Sequence, residues 1–524
     1  MSNVSVISVD IGTSEIKAIL VDETGIIDHF QIPCSLEYGK PGWVEQKPDE
    51  LAKGILRGIR ALVDNNSDRI TEDTALVFTS QMQGILPVDS EGKPLMNLIT
   101  WLDTRAAELT KKVIFRGWPK ISGIPAGKLV KFLKITGGAP GNDGKNTLAK
   151  TLWIKTERPD IYEKTSKFLD TKDYAVLIAT GRFVTSVDMA YVTWLMDTRE
   201  DAMDWSPELC DMFGLDVGKF PEIKKSTDII GNITDEFASK TNLPKSVRVI
   251  NGSGDLLTSA IGSGAIEDGR LHANIGTAGW TGCHFSERAR DIPHYTGSIA
   301  SGIPGRYLIL SKQETLGGAL DWIRRIVFSE KYSDTPTESD IKEQYKRMDI
   351  LVENSPPGAK KLIFTPWLHG ERSPINDPFL RGQLFNIGMY HDRSDIIRAV
   401  FESVAYNLRW GIDVVENLSK VESKTITVIG GGSKSDVWCQ IFADVWQKDV
   451  VRLKQPQMAS GLGAACIALV SLGILSDFTG VSKLIDVDQI FKPDETKIPL
   501  YSNLFESFKK LYKRNKKVFH ELNE

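Results

Sequence analysis

Cysteine is scarce in this chain. Its five cysteines, Cys34, Cys210, Cys283, Cys439 and Cys466, are scattered over 524 residues, odd in number and without a C-x-x-C pair. That spacing argues against a disulfide framework or a cysteine zinc site and suits free thiols in a reducing cytoplasm. Long apolar runs are also missing. The longest uncharged run, Gly461 to Leu475, falls short of the ~20 residues a spanning helix requires and reads as a buried helix. The opening residues enter a strand within a few positions, with no basic-then-apolar signal region, so the expected location is the cytoplasm. Charge of one sign is not in excess either. With 64 Lys and Arg against 68 Asp and Glu the net charge is −4, which advertises neither nucleic acid nor an anionic membrane as a partner.

The familiar nucleotide signatures are absent too. "GGAPGNDGKNT" (137–147) approaches the G-x-x-x-x-G-K-[ST] phosphate loop, but Ala139 stands at the first glycine and Asn146 replaces the hydroxyl. It reads as a loop. "GLGAAC" (461–466) ends in Cys466 where the G-x-G-x-x-G dinucleotide fingerprint has its last glycine, and no strand precedes it. The seven histidines show no metal-ligand spacing.

What is present is a soluble α/β pattern. The length suggests two or three domains. An apolar content of 41% with 25% charged residues is that of a globular chain. "ISVDIGTSEIKAILVD" (7–22) carries two β-branched runs around a polar break and reads as two strands joined by a hairpin. "ALVFTSQMQG" (75–84) is a strand running into a loop. "VRVINGSGDLLTSAIGSGAI" (247–266) reads as strand, glycine-rich turn and helix, as does "SKTITVIGGGSKSDVWCQIFADVW" (423–446). "RLHANIGTAGWTGCHF" (270–285) repeats the strand–Gly-Thr–strand logic of the opening, which predicts two related halves facing each other. The stretch "YSNLFESFKKLYKRNKKVFH" (501–520) sets Leu504, Phe505, Phe508, Leu511 and Tyr512 at helical spacing and predicts a docked amphipathic helix with a solvated lysine face.

Glycine turns of this kind do what a phosphate loop does by other means. Successive backbone N–H groups in a tight turn form a concave nest for anionic oxygens. Gly12 and Gly276 allow close approach, and Thr13, Ser14 and Thr277 add hydroxyl donors. With no phosphate-loop lysine, charge must be balanced by a metal and its carboxylates. Asp10, leaving a strand beside the nest, is placed to orient a hydrated Mg²⁺. Lys17 reads equally as a phosphate contact or a solvated hairpin lysine. Asp255, between a strand and a helix, reads as a helix cap. On their own, Gly431, Gly432 and Ser435 are a strand-to-helix turn, and Trp101 and Asp103 a core aromatic and a surface carboxylate.

The ordered series DIGTS (10–14), PGWVEQKP (41–48), SQMQG (80–84), WLDTR (101–105), NGSGD (251–255), NIGTAG (274–279), GERSP (370–374), IIRAVFESVAYNLRW (396–410) and GGGSKSDVWCQIFADV (430–445) resembles the FGGY family of carbohydrate kinases. The resemblance runs from residue 4 to about residue 475, and GGGSKSDVW and WLDTR are most similar to its xylulokinase branch.

The resemblance implies an α/β fold of two actin-like, ribonuclease-H-like domains with an active-site cleft between them. It divides the chain into a sugar-binding domain (1–260), an ATP-binding domain (261–475) and a helical extension (476–524). It makes Asp255 the catalytic base and sets Met82, Gln83, Trp101 and Asp103 at the sugar. ATP then falls to Gly12, Thr13, Ser14, Lys17, Gly276, Thr277, Gly317, Gly431, Gly432 and Ser435, with Asp10 at Mg²⁺. The implied partners are a small-molecule sugar and MgATP, with no nucleic acid and no membrane, and a homodimer as the candidate assembly. The implied reaction moves the γ-phosphate of ATP to a sugar hydroxyl, with D-xylulose the leading substrate and gluconate or another sugar acid or polyol the alternative. An actin- or chaperone-like ATPase shares the phosphate nests but not the sugar loops.

Two departures bear on this. "KTLW" (150–153) has Thr151 where the family carries an apolar residue, and Gln83 stands where xylulokinases carry a sugar-contacting histidine.

Overall fold

The computed structural model describes residues 4–121, 123–328 and 336–523. The chain separates into two compact units. Met1–Gly262, Ile299–Arg306 and Met458–Leu484 form the first, and Ser263–Ser298, Tyr307–Gln457 and Ile485–Glu524 form the second.

In the first unit the opening stretch forms the antiparallel strands β1 (Val6–Ile11) and β2 (Glu15–Asp22), with β3 (Gly25–Pro33) beside β2. β1 is buried along its whole length, which its continuous Val and Ile content suits. The helix Pro48–Asn65 buries Leu51, Ile55, Ile59 and Leu62 and packs on β2 and β3. Gly54 and Gly58 let it close on Ile16 and Ala18 of β2. β4 (Ala75–Ser80) then lies parallel to β1. Past a long insertion, β5 (Ile229–Asn232) and β6 (Arg248–Gly254) complete the sheet in the order β5-β6-β4-β1-β2-β3. The insertion has its own core, built on Ile85, Ile99, Phe132, Leu148, Phe168 and Leu209.

The second unit repeats this pairing. Its strands β7 (Leu271–Ile275), β8 (Gly279–Phe285), β9 (Tyr307–Gln313), β10 (Thr425–Ile429), β11 (Asp449–Leu453) and β12 (Val487–Phe491) run in the order β9-β8-β7-β10-β11-β12 within a larger sheet. Read from β9 the neighbours are antiparallel, antiparallel, parallel, parallel and antiparallel. Read from β3 the first unit gives the same series. Two related α/β halves, expected from the repeated strand–Gly-Thr–strand stretch, are therefore present. The last helix, Ile498–Asn523, buries Tyr501, Leu504, Phe505, Phe508 and Leu511, and the Phe508 ring lies 5.3 Å from that of Trp367. Among the described residues no helix is long and apolar enough to cross a membrane.

One expected turn is absent. β6 continues through Gly252 and Gly254, and the helix Asp255–Gly262 starts at the next residue. The backbone change happens inside the strand. Gly252 sits at φ +74°, where a Cβ would lie 2.0 Å from the Phe78 carbonyl oxygen, and pairing with β4 shifts register between Ile250 and Ser253. The uncharged run forms the buried helix Ala459–Ser471, which packs in the first unit against Asp255–Gly262.

That helix pair depends on glycine at its crossing. A Cβ on Gly463 would lie 1.8 Å from the Thr258 carbonyl oxygen, and one on Gly262 would lie 1.9 Å from that of Ala459. Backbone cannot yield as a side-chain tip can, so Gly463→Ala should destabilise by about 3 kcal/mol or more, the upper end for overpacking. Gly127→Ala has open space around it in the helix Ala126–Ile135, and should be neutral or stabilising by up to ~1 kcal/mol. Thermal unfolding of the two variants checks the contrast, which equal melting temperatures would refute.

Candidate active site

In the first unit the carboxyl ends of three parallel strands stand in one row. Ile11 of β1 pairs with Ser80 of β4, and Ser80 pairs with Gly254 of β6. Open α/β sheets bind ligands beyond such ends. The residues next along the chain from this row are Gly12-Thr13-Ser14, Gln81-Met82-Gln83 and Asp255, so sheet register gathers three expected clusters at one edge.

Asp10 lies one step inside β1. It is buried, and its Oδ1 has no hydrogen-bond partner. Burial holds its pKa above the ordinary carboxylate range, against the Lys17 charge and a hydrogen bond from Ser460. Lys17 is the cross-strand partner of Asp10 and is paired with Glu15 at 2.9 Å. Burial opposes its charge, yet Asp10 and Glu15 lift its pKa above the usual value, and the Asp255 charge acts in the same direction. Lys17 is thus a largely buried link between carboxylates rather than a solvated hairpin lysine.

The hairpin tip is tight. Gly12 N–H donates to the Glu15 carbonyl at 3.0 Å, which leaves Thr13 and the exposed Ser14 at the turn. The Thr13 hydroxyl donates to Gln81 Oε1 at 2.9 Å and accepts from the Trp101 indole N–H at 3.0 Å. Gln81 donates in turn to Gln46 Oε1 at 2.6 Å. The glycine turn, the SQMQG loop and the WLDTR loop are therefore one polar network.

Asp103 departs from its expected part. It is fully buried rather than on the surface, and both oxygens are engaged. Oδ2 accepts from Val44 N–H at 2.6 Å, Oδ1 accepts from Arg105 N–H at 2.9 Å, and the Arg105 guanidinium binds both. Arg105 reaches Glu45 at 2.7 Å and lies 3.8 Å over the Trp43 ring. A carboxylate so occupied holds a loop together and offers no lone pair to a sugar hydroxyl. Met82 packs against Gly254, where a Cβ would come within 2.5 Å of its Sδ. Gln83 sits at φ +66° with its Nε2 3.4 Å from the Val192 carbonyl.

Other positioning groups were not singled out from the sequence. Asp188 is buried, and its Oδ2 accepts from Ser253 Oγ and Gly254 N–H, each at 2.8 Å, which holds the end of β6 that presents Asp255. Asp170 accepts from Gly84 N–H at 3.0 Å. Burial pushes it up to about 8, with the Asp173 charge adding to the shift. Lys150, also buried, donates from Nζ to the carbonyls of Gln83 and Thr100, each at 2.7 Å. Only KTLW, noted as a departure from the family pattern, pointed near it. Asp255 opens its helix as the first residue, half-buried.

In the second unit the ends of β7 and β10 carry the remaining residues. Gly276 and Thr277 form the β7–β8 turn, and their carbonyls accept from Gly317 N–H at 2.8 Å and Gly318 N–H at 3.0 Å. The helix Gly317–Phe328 thus begins against the turn, which brings Gly317 to Gly276 as expected. Gly430–Gly432 come directly after β10, whose Ile429 pairs with Asn274. A Cβ on Gly432 would strike Ile275 at 2.4 Å, while Gly431 is exposed with open space beside it. Ser435 caps the next helix, accepting from Trp438 N–H at 3.1 Å and donating to Asp349 at 2.9 Å. Its hydroxyl is engaged within the protein.

Among the described residues no group of three His, Cys, Asp or Glu could hold a metal alone. The orphaned Asp10 oxygen instead fits a Mg²⁺ that takes one or two carboxylates and keeps waters or phosphate oxygens for the rest.

Two family models match the chain. The N-terminal domain of the FGGY family of carbohydrate kinases matches residues 5–262, and its C-terminal domain matches residues 272–472. A xylulose kinase of Staphylococcus epidermidis is 29% identical, over 99% of this chain and 98% of its own. A gluconokinase of Bacillus licheniformis is 26% identical, over 96% and 94%. The crystal structure of gluconate kinase from Lactobacillus acidophilus superposes with a TM-score of 0.86 at 23% identity, over 99% of this chain and all of that one, which shows the fold.

The raised pKa of Asp170 has a testable sign. The folded protein holds a proton there up to about pH 8, whereas the unfolded chain releases it near the ordinary Asp value of roughly 3.9. Its contribution to stability is therefore full below pH ~4 and lost as pH rises through about 8. Asp170→Asn keeps an acceptor for Gly84 and removes the titration. The melting temperature of wild type should fall relative to the variant between these limits, and parallel profiles would refute the assignment.

Proposed function

Because the chain belongs to the FGGY family of carbohydrate kinases, we propose that it transfers the γ-phosphate of ATP to a hydroxyl of a small ketose, D-xylulose first. The observation that carries this reading is the row Ile11–Ser80–Gly254, which draws the glycine turn, the SQMQG loop and Asp255 to one sheet edge. The substrate is supported by the full-length match to a xylulose kinase. The gluconokinase match favours gluconate or another sugar acid or polyol as second reading, and Gln83 in place of the histidine leaves the choice of sugar open.

In this reading Asp255 accepts the proton of the sugar hydroxyl as its oxygen attacks the γ-phosphorus. The phosphorus–oxygen bond to ADP breaks, and ADP leaves with the electron pair. Thr13 and Ser14 offer turn donors, and Lys17 supplies positive charge near both Asp10 and Asp255. Asp10 is the residue for Mg²⁺, which when bound neutralises phosphate charge. The Trp101 ring walls the sugar, anchored through its indole N–H to Thr13. Gly431, open beside its backbone, with Gly276, Thr277, Gly317 and Gly432 around the turns, serves the nucleotide. A cytoplasmic enzyme is consistent with free thiols throughout.

ADP release measured across a panel of ketoses, alditols and sugar acids tests the reading. Turnover should depend on added sugar, and turnover indifferent to every sugar would sink it. Asp255→Asn should lower the sugar-dependent rate by roughly 10²–10⁴, the range for a positioned base, with the KM values nearly unchanged. Near-normal turnover would remove Asp255 from that role. Gln83→His exchanges a neutral amide for an imidazole. It should shift relative kcat/KM toward D-xylulose by one or two powers of ten, on the order of the effect of an unpaired buried polar group. Equal effects on all sugars would show that Gln83 does not read the substrate.

A further inference from the structure

Lys150 is an amine shut away from solvent. Its side chain is fully buried on the helix Thr147–Glu157, whose start is fixed by Asn146 Oδ1 accepting from Ala149 N–H at 2.9 Å. An amine in such a place needs acceptors, and the two it has are backbone carbonyls from different loops, Gln83 and Thr100. Each loop is tied again on its far side. Gly84 N–H goes to Asp170, and Thr100 donates from its hydroxyl to the Val44 carbonyl at 2.9 Å. The next residue, Trp101, reaches the glycine turn through Thr13.

We propose that Lys150 is a positioning residue that clamps the Gln83 and Thr100 carbonyls together, so that the 81–84 and 100–105 loops are presented as one rigid wall to the sugar. The clamp rests on the proposed sugar site for its consequence but not for its geometry. Gln83 at positive φ has a carbonyl direction that the local backbone does not favour for a non-glycine residue. An external donor that captures this carbonyl holds the residue there. The 82–83 side chains then project from a fixed backbone, which matters because an ångström of misplacement costs on the order of 10²-fold in rate.

The clamp does not depend on charge. Burial brings the Lys150 amine down to about 7, against the pull of the Asp103 charge. A neutral amine still carries two N–H groups, one for each carbonyl, so both protonation states keep the link.

The test compares wild type with Lys150→Met, which keeps the length of the stem and removes the donors. Amide hydrogen exchange should show residues 82–84 and 100–103 losing protection together while β1 and β6 keep theirs. Sugar KM should rise roughly ten- to a hundredfold, with the ATP KM changed less than about twofold. Loosening of both loops without any sugar-dependent turnover in wild type would leave the clamp standing and reject the sugar reading. Loss of protection spread evenly over the first unit, unchanged loops, or equal changes in both KM values would overturn the clamp. Should Lys150→Met not fold, Lys150→Arg retains donors for both carbonyls on a bulkier head. It should keep the two loops protected jointly, and deprotection of one loop alone would overturn the proposal.

Discussion

Everything proposed for the first unit hangs on the backbone register of three parallel strands. Hydrogen bonding of β1 to β4 and of β4 to β6 aligns Ile11, Ser80 and Gly254. A slip of one residue would turn every side chain of a strand to the opposite face, and β1 is buried on both. Close packing of particular side chains on both faces opposes such a slip, and the proposed site inherits that precision at its end. The glycine turn, the SQMQG loop and Asp255 are separated by tens to hundreds of residues in the chain, and only the sheet makes them neighbours.

Around that edge the carboxylates sort by what their oxygens already do. Both oxygens of Asp103 are taken by backbone N–H groups and a guanidinium, and Asp188 Oδ2 by a hydroxyl and a backbone N–H, so the two hold backbone in place. Asp10 keeps one oxygen buried and unpartnered, which costs free energy unless something binds it. That unpartnered oxygen is the observation on which the proposed metal role of Asp10 rests. The Lys17 charge is favoured by Asp10 first and by Asp255 as well. In the second unit the same division appears among hydroxyls and glycines. Ser435 is engaged by Asp349 and Trp438, while Gly431 stands open.

The two units solve one folding problem twice. In each, an antiparallel three-strand ribbon meets parallel strands, and a glycine-containing turn closes the first hairpin next to the parallel ends. The turns differ in the partners they engage. In the first unit the Thr13 hydroxyl is drawn into side-chain hydrogen bonds with Gln81 and Trp101. In the second the Gly276 and Thr277 carbonyls receive the start of a helix, which needs glycine at 317 because a Cβ there would lie 2.8 Å from the Gly276 oxygen.

The sequence by itself determined the strands of the opening hairpin, the repeat of that hairpin near residue 276, the buried helix after residue 458 and the docked C-terminal helix. Each is written in local periodicity and turn chemistry, which do not need distant partners. It also singled out, as candidates, Asp10 and Gly12 by turn chemistry and Gln83 and Asp255 by the contiguous family motifs. It did not determine that the helix Ala459–Ser471 returns to the first unit, where Gly463 meets the backbone of Thr258. Nor did it show that Asp103 would be consumed by Arg105 and Val44, or that Lys150 would join two loops. Those outcomes rest on which backbone groups need partners once the chain has closed, and that accounting exists only in three dimensions.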